Sequence, residues 1–276
     1  MTDLLKREYC KQGFLKLERL WPEHELIALV REVHDVFAYS MASRKLPCTR
    51  DAAGRILDDD VFRFFDVCRQ DYIAVLRVIQ NLPRIFRLGT ADTLLRALGE
   101  LGLERPVFSS RPILTLSSPR TSSHIGHWKT PAHQDWRSIQ GSLDCVVVWI
   151  PLADVTPELG QIEVIPGSHI EGLLPAEPDE WYMHVRADCI DPSRFRPIPA
   201  RLGDALIFSA FLVHRSGTNL LSRHRYALQF RFDNLAEPNF VSRSFPTAYV
   251  SDRPAPDLVT PGFPSTSELR AVFGTE

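Results

Sequence analysis

What this chain lacks narrows the field first. No segment of its 276 residues approaches the roughly 18 uninterrupted apolar positions of a membrane span. Its start, Met1 to Glu8, mixes charged residues with two leucines and carries no apolar run of signal-peptide length, so no membrane partner is expected. Charge of either sign is not in excess: 32 Lys and Arg face 34 Asp and Glu, for a net charge of -2. A phosphate backbone would meet no cationic field here, which argues against nucleic-acid binding. The five cysteines (Cys10, Cys48, Cys68, Cys145, Cys189) are odd in number and scattered, and no CxxC pair occurs. That excludes a disulfide framework and a cysteine-based zinc site, and makes a reducing cytoplasm the simplest location. Internal repeats and low-complexity tracts are also missing.

What is present is ample apolar material, 44% of residues, for a packed core. A single domain over 1–276 is expected, with a helical part over 1–105, a β core over 106–236 and an irregular tail over 237–276. Between Trp21 and Met41, Leu26, Leu29, Val30, Val33 and Phe37 recur at helical spacing, and Pro22 suits a first turn. A second helix is predicted over Val61 to Asn81 and a third over Ala91 to Leu101. From about Val107 the texture turns to short apolar or alternating runs separated by Pro and Gly. These run over Ile113 to Leu116, Leu143 to Leu152, Ile162 to Ile165, Ala205 to Phe211 and Tyr226 to Phe232. The pattern reads as an antiparallel sandwich or barrel, and the whole as an α+β chain, mainly β, built on one β core. Ser265-x-x-Glu268 has the form of a capping box for a short helix in the tail.

The first chemistry lies in His133-Gln134-Asp135. On a strand, residues two apart share a face, so an imidazole and a carboxylate there can meet one ion. They supply two members of the 2-His-1-carboxylate triad that leaves coordination positions open on ferrous iron. The triplet alone is weak, since roughly 0.6 such triplets are expected by chance in this composition. A rival, His169-Ile170-Glu171, follows the turn Pro166-Gly167-Ser168 and has no suitable partners downstream. The weight comes from further along. His214 ends the apolar stretch from Asp204 to Val213, where a polar side chain needs a partner. Arg225 then opens a run in which Arg225, Ala227, Gln229 and Arg231 share one face and Tyr226, Leu228, Phe230 and Phe232 the other. With the apolar face in the core, the polar face lines a lumen, where an Arg can grip a carboxylate with a planar fork. Without the histidines, an ordinary solvated strand face is the simpler reading.

Taken in order, His133-Gln134-Asp135, the stretch Leu159 to His169 (LGQIEVIPGSH), His214-x-Ser216 and Arg225 resemble the phytanoyl-CoA dioxygenase family over about residues 107–235. The resemblance implies a double-stranded β-helix, a cupin-like jelly-roll, with the N-terminal helices packed on it. It implies iron(II) held by His133, Asp135 and His214, with 2-oxoglutarate as cosubstrate and O2 as oxidant. Arg225 matches the residue that pairs with the distal carboxylate of 2-oxoglutarate, and Ser216 a hydroxyl that assists it. Gln134 and Trp149 match residues flanking the cosubstrate, with Thr115 or Leu116 lining the pocket from an upstream strand. The chain departs from the family at Glu158-Leu159-Gly160, where a polar or Asn-Gly turn is common, and at the small Ala132. Asp135 stands where halogenases of the superfamily have a small residue, which favours hydroxylation of an aliphatic C–H with release of succinate and CO2.

The substrate is expected to be a small, polar or natural-product-like molecule. Arg137, Gln229 and Arg231 are candidate contacts to it, and Arg120, His124, His127 and Lys129 form a polar loop before the metal pair. Each of these is also an ordinary surface type. Desaturation or cyclisation would use the same residues. A non-oxidative cupin-like isomerase or a binding module is the alternative of a different class, and Arg225 discriminates, because neither needs a clamp for 2-oxoglutarate. A peptide substrate stays open, and oligomeric state is not legible.

Overall fold

The computed structural model describes residues 3–121, 129–178 and 183–246. The N-terminal part holds six helices: α1 (Asp3–Gln12), α2 (Glu23–Ser43), α3 (Asp58–Val67), α4 (Arg69–Val78), α5 (Pro83–Gly89) and α6 (Asp92–Leu101). In α2, Leu26, Leu29, Val30, Val33, Phe37 and Met41 are buried, as the 3.6-residue period requires. Pro22 stands one position earlier than expected, as the residue before the helix. The helix predicted over 61–81 is two helices. The chain leaves helical geometry at Cys68 (φ -129°, ψ 53°), with neither Pro nor Gly to announce it. The break lets Phe64 and Phe65 converge on Tyr72, and Phe64 and Tyr72 on Phe37, with ring centroids 5.2–6.1 Å apart. Burying such aromatics stabilises by about 1.5–3 kcal/mol each, enough to override local propensity.

A wholly helical N-terminal part is also corrected. β1 (Phe14–Leu17) leaves the helices and pairs antiparallel with β9 (Ala205–Ser209), Phe14 opposite Phe208. It forms the edge of a six-stranded sheet ordered β1-β9-β4-β11-β2, in which β4 is Val146–Pro151, β11 is Arg225–Asn234 and β2 is Pro106–Phe108. β3 (Ile113–Ser117) pairs with the first half of β11. The smaller sheet is β10-β5-β8: His214–Ser216, Ile162–Val164 and Arg196–Ile198. A third ladder joins β6 (Ala176–Pro178) to β7 (Met183–Val185).

The sheets sort side chains by parity. Val146, Val148, Ile150, Ile207, Leu228, Phe230 and Phe232 face the helices in one apolar cluster. Their alternates Val147, Trp149, Leu206, Phe208 and Ala227 meet Ile162 and Val164 of the small sheet in a second. β4 and β9 are covered on both faces, which is why they read as unbroken apolar runs. The result is a mixed helix and antiparallel-sheet fold. Among the described residues the two sheets do not close on each other by ladders; the bridge His133↔His214 extends the small one. In the tail, Pro238–Ser242 forms a short helix capped by Glu237, so residues from 237 on are not uniformly irregular. The predicted Ser265–Glu268 helix start lies outside the described residues, as do His124 and His127.

Candidate metal centre

His133 and His214 face each other across that isolated bridge. Their backbones exchange two hydrogen bonds, of 3.0 and 3.1 Å, and their ring centroids lie 4.1 Å apart. In each ring Nδ1 donates to the carbonyl two residues earlier, Pro131 at 2.8 Å and Leu212 at 3.0 Å. A carbonyl can only accept, so these contacts assign the proton to Nδ1 and leave Nε2 with its lone pair, the form in which imidazole ligates a metal.

Asp135 reaches the same point by a different route from the one expected. It is not on a strand: the chain turns after His133, and Asp135 immediately precedes the one-turn helix Trp136–Ile139, whose Trp136 N–H donates to Ala210. Carboxylate and imidazoles converge all the same, with ligand atoms within 4.8 Å of one another, Asp135 and His214 buried and His133 partly so. Among the described residues this is the one such group of three. Arg231 donates to Asp135 Oδ1 from Nη2 at 2.8 Å and Nε at 3.2 Å. Asp135 Oδ2 is buried and finds no donor among the described residues, yet His214 Nε2 lies 3.4 Å from it. Two lone pairs then face each other across a buried gap, an arrangement that needs a cation or a proton between them. The proton is disfavoured, because burial and the neighbouring His133 push the His214 pKa down to about 3. Burial alone would raise the Asp135 carboxyl, but Arg231 overrides it and holds the group ionised, well below the usual carboxylate range. The donor set of two neutral imidazoles and one carboxylate fits a divalent first-row metal.

At the start of β11, Arg225 organises the same inner face. Arg225 is 6% exposed. It donates to the Gly160 carbonyl and, at 3.3 Å, to Ser216 Oγ, while Nε finds no partner among the described residues. Among the described residues no carboxylate stands against it, and burial lowers its pKa to about 10. Ser216 is two residues beyond His214 on β10, so both address the same side. The close approach depends on glycine: Gly160 has φ +83°, and a Cβ there would lie 2.6 Å from the Gly217 carbonyl oxygen. Thr115 pairs with Ala227 and donates to its carbonyl at 3.2 Å, so Thr115 shares the inner face, and Leu116 packs outward with the helices. Trp149 is buried on the inner face opposite Gln229.

Several expected contacts are engaged elsewhere. The Gln134 amide donates to the carbonyls of Gly172 and Phe211, each at 2.7 Å, and accepts from Leu174 N at 2.8 Å, which pins the 172–174 loop instead of facing the cosubstrate end. Arg137, on the one-turn helix and not a strand, donates to the Leu174 carbonyl. Arg231 is spent on Asp135, and Gln229 Oε1 accepts from it at 3.2 Å. Arg120 pairs with Asp66 at 3.0 Å and lies over the Phe62 ring. The rival His169 bonds the Cys10 carbonyl, and Glu171 pairs with Arg194.

A family model for phytanoyl-CoA dioxygenase (PhyH) matches residues 9–227. The chain belongs to the phytanoyl-CoA dioxygenase family. Within and around this family it is 31% identical over 106 residues to a methylphosphonate hydroxylase of Gimesia maris, covering 38% of this chain and 40% of that protein. It is 30% identical over 126 residues to a 1-deoxypentalenic acid 11-beta-hydroxylase of Streptomyces arenae, covering 42% and 44%. The chain thus spans less than half the length of these relatives. The fold is shared with the non-heme monooxygenase ThoJ (TM-score 0.55, 15% identity, 98% of this chain and 94% of that one). It is also shared with the non-heme alpha ketoglutarate dependent epimerase SnoN (0.51, 20%, 84% and 80%).

Proposed function

We propose that this chain is an iron(II)- and 2-oxoglutarate-dependent oxygenase that hydroxylates an aliphatic C–H bond of a small polar or natural-product-like molecule. The observation that carries the reading is the Oδ2 of Asp135, buried with no donor among the described residues, 3.4 Å from His214 Nε2. His133, Asp135 and His214 hold the metal, and Arg225 with Ser216 receives the distal carboxylate of 2-oxoglutarate. Once bound, metal, cosubstrate and dioxygen supply the oxidation, with succinate and carbon dioxide released. The protein's own share is positional. Arg231 fixes one carboxylate oxygen of Asp135 so that the other addresses the metal, and the apolar inner layer of Val147, Leu206, Phe208 and Ala227 excludes water. The two facing sheets serve as an open double-stranded β-helix whose lumen holds both groups.

A buried guanidinium with no carboxylate partner among the described residues favours this over an isomerase or binding module on the same fold, since neither supplies an anion for it. Family relatives named as hydroxylases support hydroxylation, and the epimerase among structural neighbours makes product analysis the deciding step. Anaerobic addition of iron(II) and then 2-oxoglutarate should give a weak visible charge-transfer band that His133→Ala abolishes. A folded protein that gives no band would overturn the assignment.

A further inference from the structure

Arg225 begins its strand, and a residue at a strand end is held only as firmly as what precedes it. Here the preceding residue is His224, whose side chain is fully buried. Its Nδ1 donates to Asp58 Oδ1 at 2.6 Å, and its backbone N–H donates to the same oxygen at 3.0 Å. One carboxylate therefore fixes both main chain and side chain of the residue next to Arg225. Asp58 is the first residue of α3, 166 positions away in sequence. The other faces of the ring are also occupied: Phe62 stacks on it at 4.5 Å and 29°, and the Tyr72 hydroxyl lies 3.5 Å from Nε2. The loop leading into this point is tied as well, since Asn219 Nδ2 donates to the carbonyls of Arg223 (2.9 Å) and Ser117 (3.2 Å). Ser117 is the cross-strand partner of Arg225.

Resting on the reading of Arg225 given above, we propose that Asp58 and His224 are positioning residues for 2-oxoglutarate. They join α3 to the start of β11 and hold the Arg225 guanidinium preorganised for the distal carboxylate. Neither touches the cosubstrate. Their effect is that the ordering of residues 224 and 225 is complete before binding, so that binding does not have to supply it. The helical layer thereby acts on one end of the lumen and leaves the metal end alone, where His133, Asp135 and His214 are tied by other elements.

The test uses anaerobic titration of the iron(II)-loaded full chain with two ligands. One is 2-oxoglutarate; the other is 2-oxobutyrate, which keeps the metal-binding 2-oxo acid and lacks the distal carboxylate. Asp58→Asn and His224→Phe, the latter keeping the ring stack on Phe62, should each weaken 2-oxoglutarate about tenfold, the equivalent of re-ordering roughly one residue on binding. Both should bind 2-oxobutyrate as the wild type does. His224→Asn, which returns a donor near the Nδ1 position, should restore most of the 2-oxoglutarate affinity. Thermal unfolding of each variant confirms a folded protein, and the two histidine variants carry the test if Asp58→Asn does not fold. Equal weakening of both ligands, or no weakening of 2-oxoglutarate while Arg225→Ala loses it, would overturn the proposal. A wild type that does not bind 2-oxoglutarate, or an Arg225→Ala variant that binds it normally, would instead overturn the reading of Arg225 beneath it.

Discussion

Replacing Arg225 with methionine should leave the metal-free protein nearly as stable as the wild type while removing its affinity for 2-oxoglutarate. Burial is the sole cause that lowers the Arg225 pKa from its ordinary value to about 10. At about 1.4 kcal/mol per pH unit, that corresponds to roughly 3 kcal/mol of charge burial left uncompensated. Methionine removes this cost and keeps most of the apolar stem. It forfeits the hydrogen bonds to Gly160 and Ser216 and leaves the Gly160 carbonyl without its donor, a loss of about 2–3 kcal/mol. The two nearly cancel, so metal-free stability should stay within about 1 kcal/mol of wild type. Deleting a paired buried charge would cost about 3–5 kcal/mol. Cosubstrate binding, by contrast, loses a desolvated charge pair, worth at least ~3 kcal/mol or roughly a hundredfold in affinity. Urea unfolding of the metal-free proteins and anaerobic 2-oxoglutarate titration of the iron-loaded ones measure the two halves. A metal-free loss above about 3 kcal/mol would show that the protein itself satisfies Arg225, and the argument from its missing counter-ion would collapse.

Arg231→Met should behave in the opposite way, destabilising the metal-free protein by about 3–5 kcal/mol because it strands the buried Asp135 carboxylate. Manganese(II) should narrow that gap by supplying the missing positive charge, and an equal gap with and without metal in urea unfolding would contradict the cluster's role. Gly160→Ala should cost at least ~2 kcal/mol in thermal unfolding, from φ +83° and the clash with the Gly217 carbonyl, and should weaken 2-oxoglutarate as well. Burial lowers the pKa of His34 to about 4 and that of His214 to about 3, against about 6.5 when unfolded. Below that value the unfolded chain binds more protons, so this contribution is complete above about pH 6.5 and is lost as pH falls towards 4. In the metal-free protein the slope from these two residues approaches ~2.7 kcal/mol per pH unit, and His34→Gln should halve it; a flat profile between pH 4.5 and 6 would refute the assignment.

Periodicity made much of this molecule legible. The alternation in β11 correctly sorts Arg225, Ala227 and Arg231 from Leu228, Phe230 and Phe232, because a strand between two apolar layers has no other way to fold. Residues 133, 135 and 214 do meet, but not for the strand geometry first supposed. His133 and His214 are held by one bridge, and Asp135 is swung in by a turn that no local pattern marks. Gly160 was visible only as a departure at a turn, not as the carbonyl that holds Arg225. The break at Cys68 and the short β1 follow from long-range packing, against local helix preference. Arg231 read as a substrate contact because position on an inner face does not say which anion lies nearest. Asp58 and His224 lie 166 positions apart, and nothing near either residue announces the other.

One strand sets the distance between the two ends of the lumen. Arg225 and Arg231 lie six residues apart on β11, an even number, so both project inward, one beside Ser216 and the other onto Asp135. A slip of a single residue would turn both guanidinia into the helical layer and leave Asp135 unpaired, so the register of β11 has to be fixed at both ends. At its start the fixing group is Asp58 on His224. At its end Asp233 accepts from Ser142 N at 2.7 Å, while Asn234 N donates to Ser142 Oγ at 3.0 Å and Asn234 Nδ2 to Asp144 at 2.7 Å. Gly141 lets this clamp close, since a Cβ there would lie 2.0 Å from Asp233. Polar groups at the two ends of β11, Asp58 half-buried and Asp233 buried among them, thus hold the alignment on which Arg225 and Arg231 depend.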